Sequence, residues 1–96
     1  GFLRMPGAFL QSIDIAIDKA YTAAGFGFST KDWMQLIGHD EGMKLGFSAR
    51  PRLVVFGGGL PIRAGGALIG GIGVSGASEA QDEECARAAL AAIGAE

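Results

Sequence analysis

Residues 60–75 read LPIRAGGALIGGIGVS. Two largely apolar segments, residues 60–63 and 67–75, flank Ala64-Gly65-Gly66. Glycine adopts the positive backbone angles of a tight turn at little steric cost, and such a turn brings its two flanking segments side by side. The stretch therefore predicts a β-hairpin of two adjacent antiparallel strands.

A further apolar segment precedes this hairpin. Residues 53–56 read LVVF and lie between Pro51 and the three glycines at 57–59. A short continuous apolar run bounded by Pro and Gly is typical of a strand that is buried on both faces. Residues 1–5 also have the pattern of the end of a strand.

Helical periodicity occurs on both sides of these strands. Residues 11–24 place apolar side chains at helical spacing, with Ser12 as the predicted N-cap. Ser78 and Gln81 form a predicted capping box ahead of an apolar stripe in residues 86–93. The chain is therefore predicted to contain a long helix before the hairpin and another after it.

The region between the first helix and residues 53–56 is less regular. A short helix is predicted over residues 33–37, where Gly38 interrupts it. Residues 38–51 have mixed polarity with glycines at 42 and 46, so we predict irregular structure with room for one helical turn. The order of elements favours an α+β domain, an antiparallel sheet with helices packed on it.

Length and composition limit the class of protein. A chain of 96 residues with 49% hydrophobic and 19% charged residues is consistent with one domain over residues 1–96. The net charge of −2 gives no overall attraction to nucleic acid, and the longest uncharged run, of 15 residues, is too short to span a membrane. The single cysteine fits a reducing compartment, so we expect a cytoplasmic protein and leave secretion open.

Basic side chains gather in one part of the chain. Acidic residues are absent between Gly42 and Ser78, and four basic residues fall there: Lys44, Arg50, Arg52 and Arg63. Guanidinium groups and the amides of a glycine-rich turn suit carboxylate or phosphate ligands. The alternative is an ordinary solvated surface. The binding residues that we predict here are Arg50, Arg52, Gly57, Gly58 and Gly59.

Other candidate residues are weaker. His39 is the only histidine, and a neutral imidazole in this polar segment could ligate iron or titrate near neutrality; the alternative is an exposed loop residue with no role. Residues 71–76 match the dinucleotide fingerprint GxGxxG, but no strand and acidic residue follow the last helix, so close helix–sheet packing is the preferred interpretation. Cys85 is interpreted as a small core residue, and no metal site made of protein ligands alone is expected.

Four separate strings resemble the haem-binding GlcG/HbpS family. They are SIDIAIDKAYTAA at 12–24, LVVFGGGLP at 53–61, IGGIGVSG at 69–76 and Gln81-Asp82-Glu83 at the start of the last helix. The likeness extends over residues 2–93. It implies an α+β domain that assembles into oligomers and binds haem, which some members degrade. Domains of this family begin with a helix and a strand that would precede position 1, so the resemblance also implies an N-terminally short domain whose sheet is completed by another chain.

These observations predict a small-molecule-binding module for haem or a related tetrapyrrole. An apolar, aromatic pocket would hold the ring, and the basic residues or the glycine amides would hold its carboxylates. One alternative is an accessory or structural subunit of a larger enzyme complex, with no cofactor of its own. A third is an enzyme acting on a small organic acid through Lys19 or Asp82 in a pocket between subunits. The expected partner is a second copy of the chain or another polypeptide.

Overall fold

The structure is a computed structural model that describes residues 2–4 and 11–95. Its elements, in chain order, are β1 (Phe2–Arg4), α1 (Gln11–Phe26), a 3-10 turn (Thr30–Asp32), α2 (Trp33–Ile37), α3 (Glu41–Ser48), β2 (Gly59–Ala64), β3 (Ala67–Ser75) and α4 (Glu79–Ala92). They form the predicted α+β fold. Within the described residues, no helix has both the length and the apolar character needed to cross a membrane.

The sheet has three strands in the order β1-β3-β2. Strands β2 and β3 form the predicted antiparallel hairpin, and its turn uses Gly65 and Gly66 at positive φ angles of 58° and 84°. Strand β1 confirms the predicted strand end but pairs with β3 in parallel. The described sheet is therefore mixed rather than purely antiparallel, because a long connection that contains α1 carries the chain back to β3 in the same direction.

Helix α1 packs directly on one face of the sheet. Gly71 and Gly73 of β3 lie beneath its backbone: a Cβ atom at Gly71 would collide with the Ala20 carbonyl oxygen, and one at Gly73 with that of Ala16. The glycine-rich string thus serves close helix–sheet packing, as the preferred interpretation of GxGxxG predicted.

Helix α4 covers the opposite face. Successive residues of a strand point to opposite sides of a sheet, so the residues of β3 that alternate with Gly71 and Gly73 face away from α1. Val74 and Leu60 pack there with Ala86 and Leu90 of α4 in the apolar core, and Cys85 lies partly buried beside them. The predicted capping box is confirmed: the Ser78 hydroxyl accepts from the Gln81 N–H at 3.2 Å, and the Gln81 side chain accepts from the Ser78 N–H at 3.1 Å. The described fold is thus helix, sheet and helix in three layers.

Residues 53–56 do not form the predicted strand. The Thr22 hydroxyl of α1 accepts from the Val54 N–H at 3.1 Å and donates to the Arg52 carbonyl at 2.9 Å. These bonds hold the segment against a helix instead of a neighbouring strand. The apolar run correctly indicates that Val54 is buried, but burial alone does not specify strand pairing.

Two predictions about helix boundaries are also wrong. Residues 41–48 are helical rather than irregular, and the Asp40 side chain caps this helix by accepting from the Met43 N–H at 3.0 Å. The glycines at 42 and 46 disfavour a helix, which is why the sequence predicts irregular structure here despite the capping aspartate. Ser12 is not an N-cap, because α1 already includes Gln11 and Ser12 is buried within its first turn.

Candidate ligand-binding site

The C-terminal end of α1 and residues 50–53 border a cleft of about 530 Å³. Its walls combine apolar and aromatic surface with two guanidinium groups. We name it the Tyr21 cleft; its lining residues are Tyr21, Thr22, Ala24, Gly25, Phe26, Arg50, Pro51, Arg52 and Leu53. A cleft of this size and lining is suited to a small organic ligand.

A second cleft, of about 610 Å³, lies beside α3. We name it the α3 cleft; its lining residues are Phe26, Gly42, Met43, Gly46, Phe47 and Arg50. Phe26 and Arg50 border both clefts. One aromatic ring and one cation therefore stand at the junction of two largely apolar spaces.

An aromatic cluster supports this junction from behind. The Trp33 ring lies 4.8 Å from that of Phe26 in an edge-to-face arrangement and 5.4 Å from that of Phe47, measured between centroids. Trp33 is 3% exposed, and its indole N–H finds no acceptor among the described residues. Phe26 and Phe47 are therefore held by a buried ring while each also lines a cleft.

Arg52 is held in an unusual conformation at the edge of the Tyr21 cleft. Its φ of 62° is the only positive value among the described non-glycine residues. The guanidinium carbon lies 3.6 Å from the centroid of the Tyr21 ring, and Nε donates to Asp18 at 3.2 Å. A strained backbone persists where surrounding contacts determine it, and such residues concentrate at functional sites. These contacts position the charge of Arg52 beside the cleft.

Arg50 differs from Arg52 because its charge is not engaged. It is exposed, and no described residue forms an ion pair or side-chain hydrogen bond with it. A free guanidinium at the border of two apolar clefts is suited to bind the carboxylate of an otherwise apolar ligand. The structure thus brings the two arginines predicted from the sequence to one cleft, where Arg52 is paired with Asp18 and Tyr21 and the side chain of Arg50 has no described partner.

The other predicted site residues lie apart from these clefts. His39 is exposed in the turn between α2 and α3 and lines neither cleft. The glycine amides are not bare as expected: Gly57 N–H donates to Glu79 at 2.6 Å, and Gly59 N–H donates to the Thr30 hydroxyl at 2.9 Å. These acceptors occupy the amides of Gly57 and Gly59, so the expectation of bare amides is wrong, and ligand binding by residues 57–59 stays a prediction.

Gly58 has a different task, which is to leave room for a buried ion pair. Lys19 and Asp82, 1% and 3% exposed, are joined at 3.1 Å between Nζ and Oδ2. Lys19 also donates to the Val74 carbonyl at 2.7 Å, and a Cβ atom at Gly58 would stand only 2.5 Å from its Nζ. The pair joins α1 to α4 inside the chain, whereas the third alternative drawn from the sequence would use Lys19 or Asp82 in a pocket between subunits.

Lys19 could have been recognised as buried from its position in α1. It shares one helical face with Ser12, Ala16 and Ala23, all of which are buried against the sheet. A lysine on such a face needs a buried partner.

Among residues 2–4 and 11–95, no three His, Cys, Asp or Glu side chains are grouped so that they could hold a metal ion.

This three-layer domain matches a known family. The model of the HbpS-like family, described as "Haem degrading protein HbpS-like", matches residues 1–91. The chain therefore belongs to the HbpS-like family, which confirms the resemblance found in its sequence.

Three relatives illustrate this membership. The chain is 39% identical over 88 residues to an uncharacterized 15.0 kDa protein of the dhaT-dhaS intergenic region of Citrobacter freundii, covering 91% of this chain and 62% of that protein. It is 37% identical over 91 residues to the corrinoid adenosyltransferase PduO of Salmonella typhimurium, covering 94% of this chain and 27% of PduO. The crystal structure of a PduOC:heme complex superimposes with a TM-score of 0.84 at 35% identity, over 96% of this chain and 67% of that one. The chain thus spans less than two thirds of the first two relatives.

Proposed function

We propose that this chain is a binding module for haem or a closely related tetrapyrrole, and that the Tyr21 and α3 clefts hold it. One observation carries the proposal: Arg50, a cation with no described partner, borders two largely apolar clefts at once. Haem combines a flat apolar ring with two carboxylates, and apolar clefts bordered by a cation suit both parts of it. The family description and the haem complex of a structural relative support the same ligand.

The residues of the clefts fit this group. Phe26 and Phe47 supply aromatic surface for a ring, and Arg50 supplies a charge for a propionate. Tyr21 in one cleft and Met43 in the other carry a phenol and a thioether, and both groups serve as axial ligands of haem iron in proteins. The clefts therefore contain the three kinds of group that haem binding uses.

A haemin titration that follows the Soret band tests the proposal. Wild-type chain should shift the band with a one-to-one end point at micromolar haemin. Arg50→Ala should weaken the affinity about tenfold, because it removes a charge-assisted hydrogen bond to a propionate. Arg87→Ala is the matched control, since Arg87 lies on α4, is 57% exposed and pairs with Glu83. No spectral shift of the wild type, or equal affinity of both variants, would contradict the proposal.

The same titration decides the role predicted for His39. We propose from its position outside both clefts that His39→Ala leaves the spectrum of the haem-loaded chain unchanged. A changed Soret band in this variant would instead assign the imidazole to the iron.

Degradation of haem, which the family description names, would be detected as a loss of the Soret band with time after addition of a reductant in air.

The accessory subunit remains a second candidate because of one comparison. The part of PduO that resembles this chain makes up 27% of that protein, so such a domain occurs attached to a larger enzyme. In this alternative the purified chain is colourless and accompanies a second polypeptide. The haemin titration separates the two candidates, because an accessory subunit without a cofactor gives no one-to-one end point.

A further inference from the structure

Two of the six residues that line the α3 cleft are glycines, and we refer to these two as the floor of the cleft. Gly42 and Gly46 are one helical turn apart and line the cleft beside Met43 and Phe47, which are also one turn apart. Neither has a positive φ, and so the backbone does not require glycine at either position. Glycine also lowers helix stability relative to alanine, so two of them in an eight-residue helix call for a reason other than the fold of the helix itself.

Packing within the chain does not provide that reason. A Cβ atom at Gly46 would meet nothing within 4 Å, and one at Gly42 would meet only Asp40 Oδ1 at an ordinary 3.5 Å. At Gly71 and Gly73 of β3, by contrast, a neighbouring backbone occupies the space that a side chain would need. The glycines of α3 leave open a space that no described residue of this chain fills.

The surroundings of that space indicate the chemistry of its occupant. Aromatic rings, Phe26 and Phe47, stand at its sides, and the unpaired guanidinium of Arg50 lies at its border. Behind the same two rings is Trp33, a buried side chain whose N–H finds no acceptor in the described part of the chain. Flat apolar surface beside a free cation suits a planar ring that carries a carboxylate.

We infer that Gly42 and Gly46 form a contact surface on which the tetrapyrrole ring lies face down, with Met43 and Phe47 along one side of it. The inference rests on the proposed function and assigns the ring to one particular surface within the α3 cleft. Absence of side chains at these two positions lets the ring approach the helix backbone. Any larger residue would hold the ring away from the helix and from Arg50.

This surface predicts opposite effects of one substitution on helix stability and on binding. Gly46→Ala adds a single methyl group to the floor of the cleft. Alanine should slow amide hydrogen exchange in residues 41–48 of the ligand-free chain, because it favours the helix. The same methyl group should weaken haemin binding about tenfold or more in the Soret titration.

Ser48→Ala is the matched control. It also introduces alanine into α3, but Ser48 is exposed and does not line the cleft. We expect it to bind haemin as the wild type does. Gly42→Ala is a second test of the same floor, and it keeps the inference falsifiable if Gly46→Ala disturbs the helix.

The outcomes are distinguishable from those of the proposed function. If the wild type binds haemin and both glycine variants bind it equally well, the ring lies elsewhere and the inference is overturned, whereas the proposed function stands. If the wild type shows no Soret shift, the proposed function fails and the inference fails with it. Weaker binding by the glycine variants, with slower exchange in α3 and an unaffected Ser48→Ala, supports the assigned surface.

Discussion

At the scale of single residues, the glycines of this chain have separate tasks that spacing alone does not distinguish. Gly73 lies where the backbone of α1 presses on the sheet, whereas Gly25 in α1 has nothing within 4 Å of the position of a Cβ atom. The same residue type thus permits close packing at one site and leaves open space at another. Substitution by alanine separates the two.

Gly73→Ala should destabilise the chain by about 4 kcal/mol or more, or prevent folding, because the added methyl group displaces α1 from the sheet. Gly25→Ala is the control and should be neutral or stabilising by up to about 1 kcal/mol, since alanine favours the helix and space is free. Urea denaturation followed by circular dichroism measures both. Equal stability of Gly73→Ala and wild type would contradict the packing described for β3.

Sequence reasoning succeeds at this scale where one residue has one dominant option. The hairpin glycines and the Ser78–Gln81 capping box are of this kind, and both are confirmed. It fails at Gly57 and Gly59, whose amides are bonded to side chains distant in sequence. Such partners depend on tertiary contacts, which local spacing does not specify.

At the scale of elements, the buried ion pair determines how α1 and α4 are joined. Lys19 crosses from α1 to Asp82 in the first turns of α4, and it also reaches the Val74 carbonyl of β3. Asp82 in turn accepts from the Ala77 N–H at 3.1 Å, so both partners are held on more than one side. A pair with this burial and these hydrogen bonds fixes the relative position of three elements.

Lys19→Met should destabilise the chain by about 3 to 5 kcal/mol, because it leaves the Asp82 carboxylate buried without its cation. The double variant Lys19→Met with Asp82→Leu should recover most of this loss, since neither member of the pair is then left buried without the other. Lys44→Met is the surface control: Lys44 pairs with Glu41 near the surface and its loss should cost at most about 1 kcal/mol. Thermal unfolding compares the variants, and similar losses for Lys19→Met and Lys44→Met would contradict the role of the pair.

Element prediction succeeds where periodicity and caps agree. Helix α4 has both an apolar stripe and the predicted capping box; α1 has the stripe alone, and it is found where expected although Ser12 does not cap it. Helix α3 has a capping aspartate but two glycines and no buried residue, so its pattern favours irregular structure. Residues 53–56 show the reverse error, since an apolar run without a pairing partner is held by Thr22 rather than by a sheet.

At the scale of the whole molecule, the candidate site could be predicted only in part. Arg50 and Arg52 are identifiable because acidic residues are absent around them, and they border one cleft in the structure. The glycine floor of the α3 cleft was beyond prediction, because it depends on a helix that the sequence did not indicate. The family was identifiable from four strings that are spread along the chain and retain their order.

Exposed apolar side chains bear on the assembly of the chain. Leu45 on α3, Ile69 on β3 and Ile93 after α4 are 63%, 64% and 68% exposed. A chain of this size buries only about 60 to 70% of its extended surface on folding, so contact with a second copy would add to a limited core. Strand β2 contains Pro61, which lacks an N–H donor, and edge pairing is therefore disfavoured on that side of the sheet.

We therefore expect the 96-residue chain to form an oligomer whose native mass is at least twice 9.8 kDa. Ile69→Asp should shift the population toward the single chain, because a charge in an apolar contact is costly to bury. Ala67→Asp, at the start of the same strand and also exposed, is the control for charge alone and should leave the mass unchanged. Native mass spectrometry of material from the natural source also reveals a bound cofactor or a companion polypeptide. A wild-type chain that is monomeric at high concentration, with no companion, would contradict both a homo-oligomer and completion by another chain.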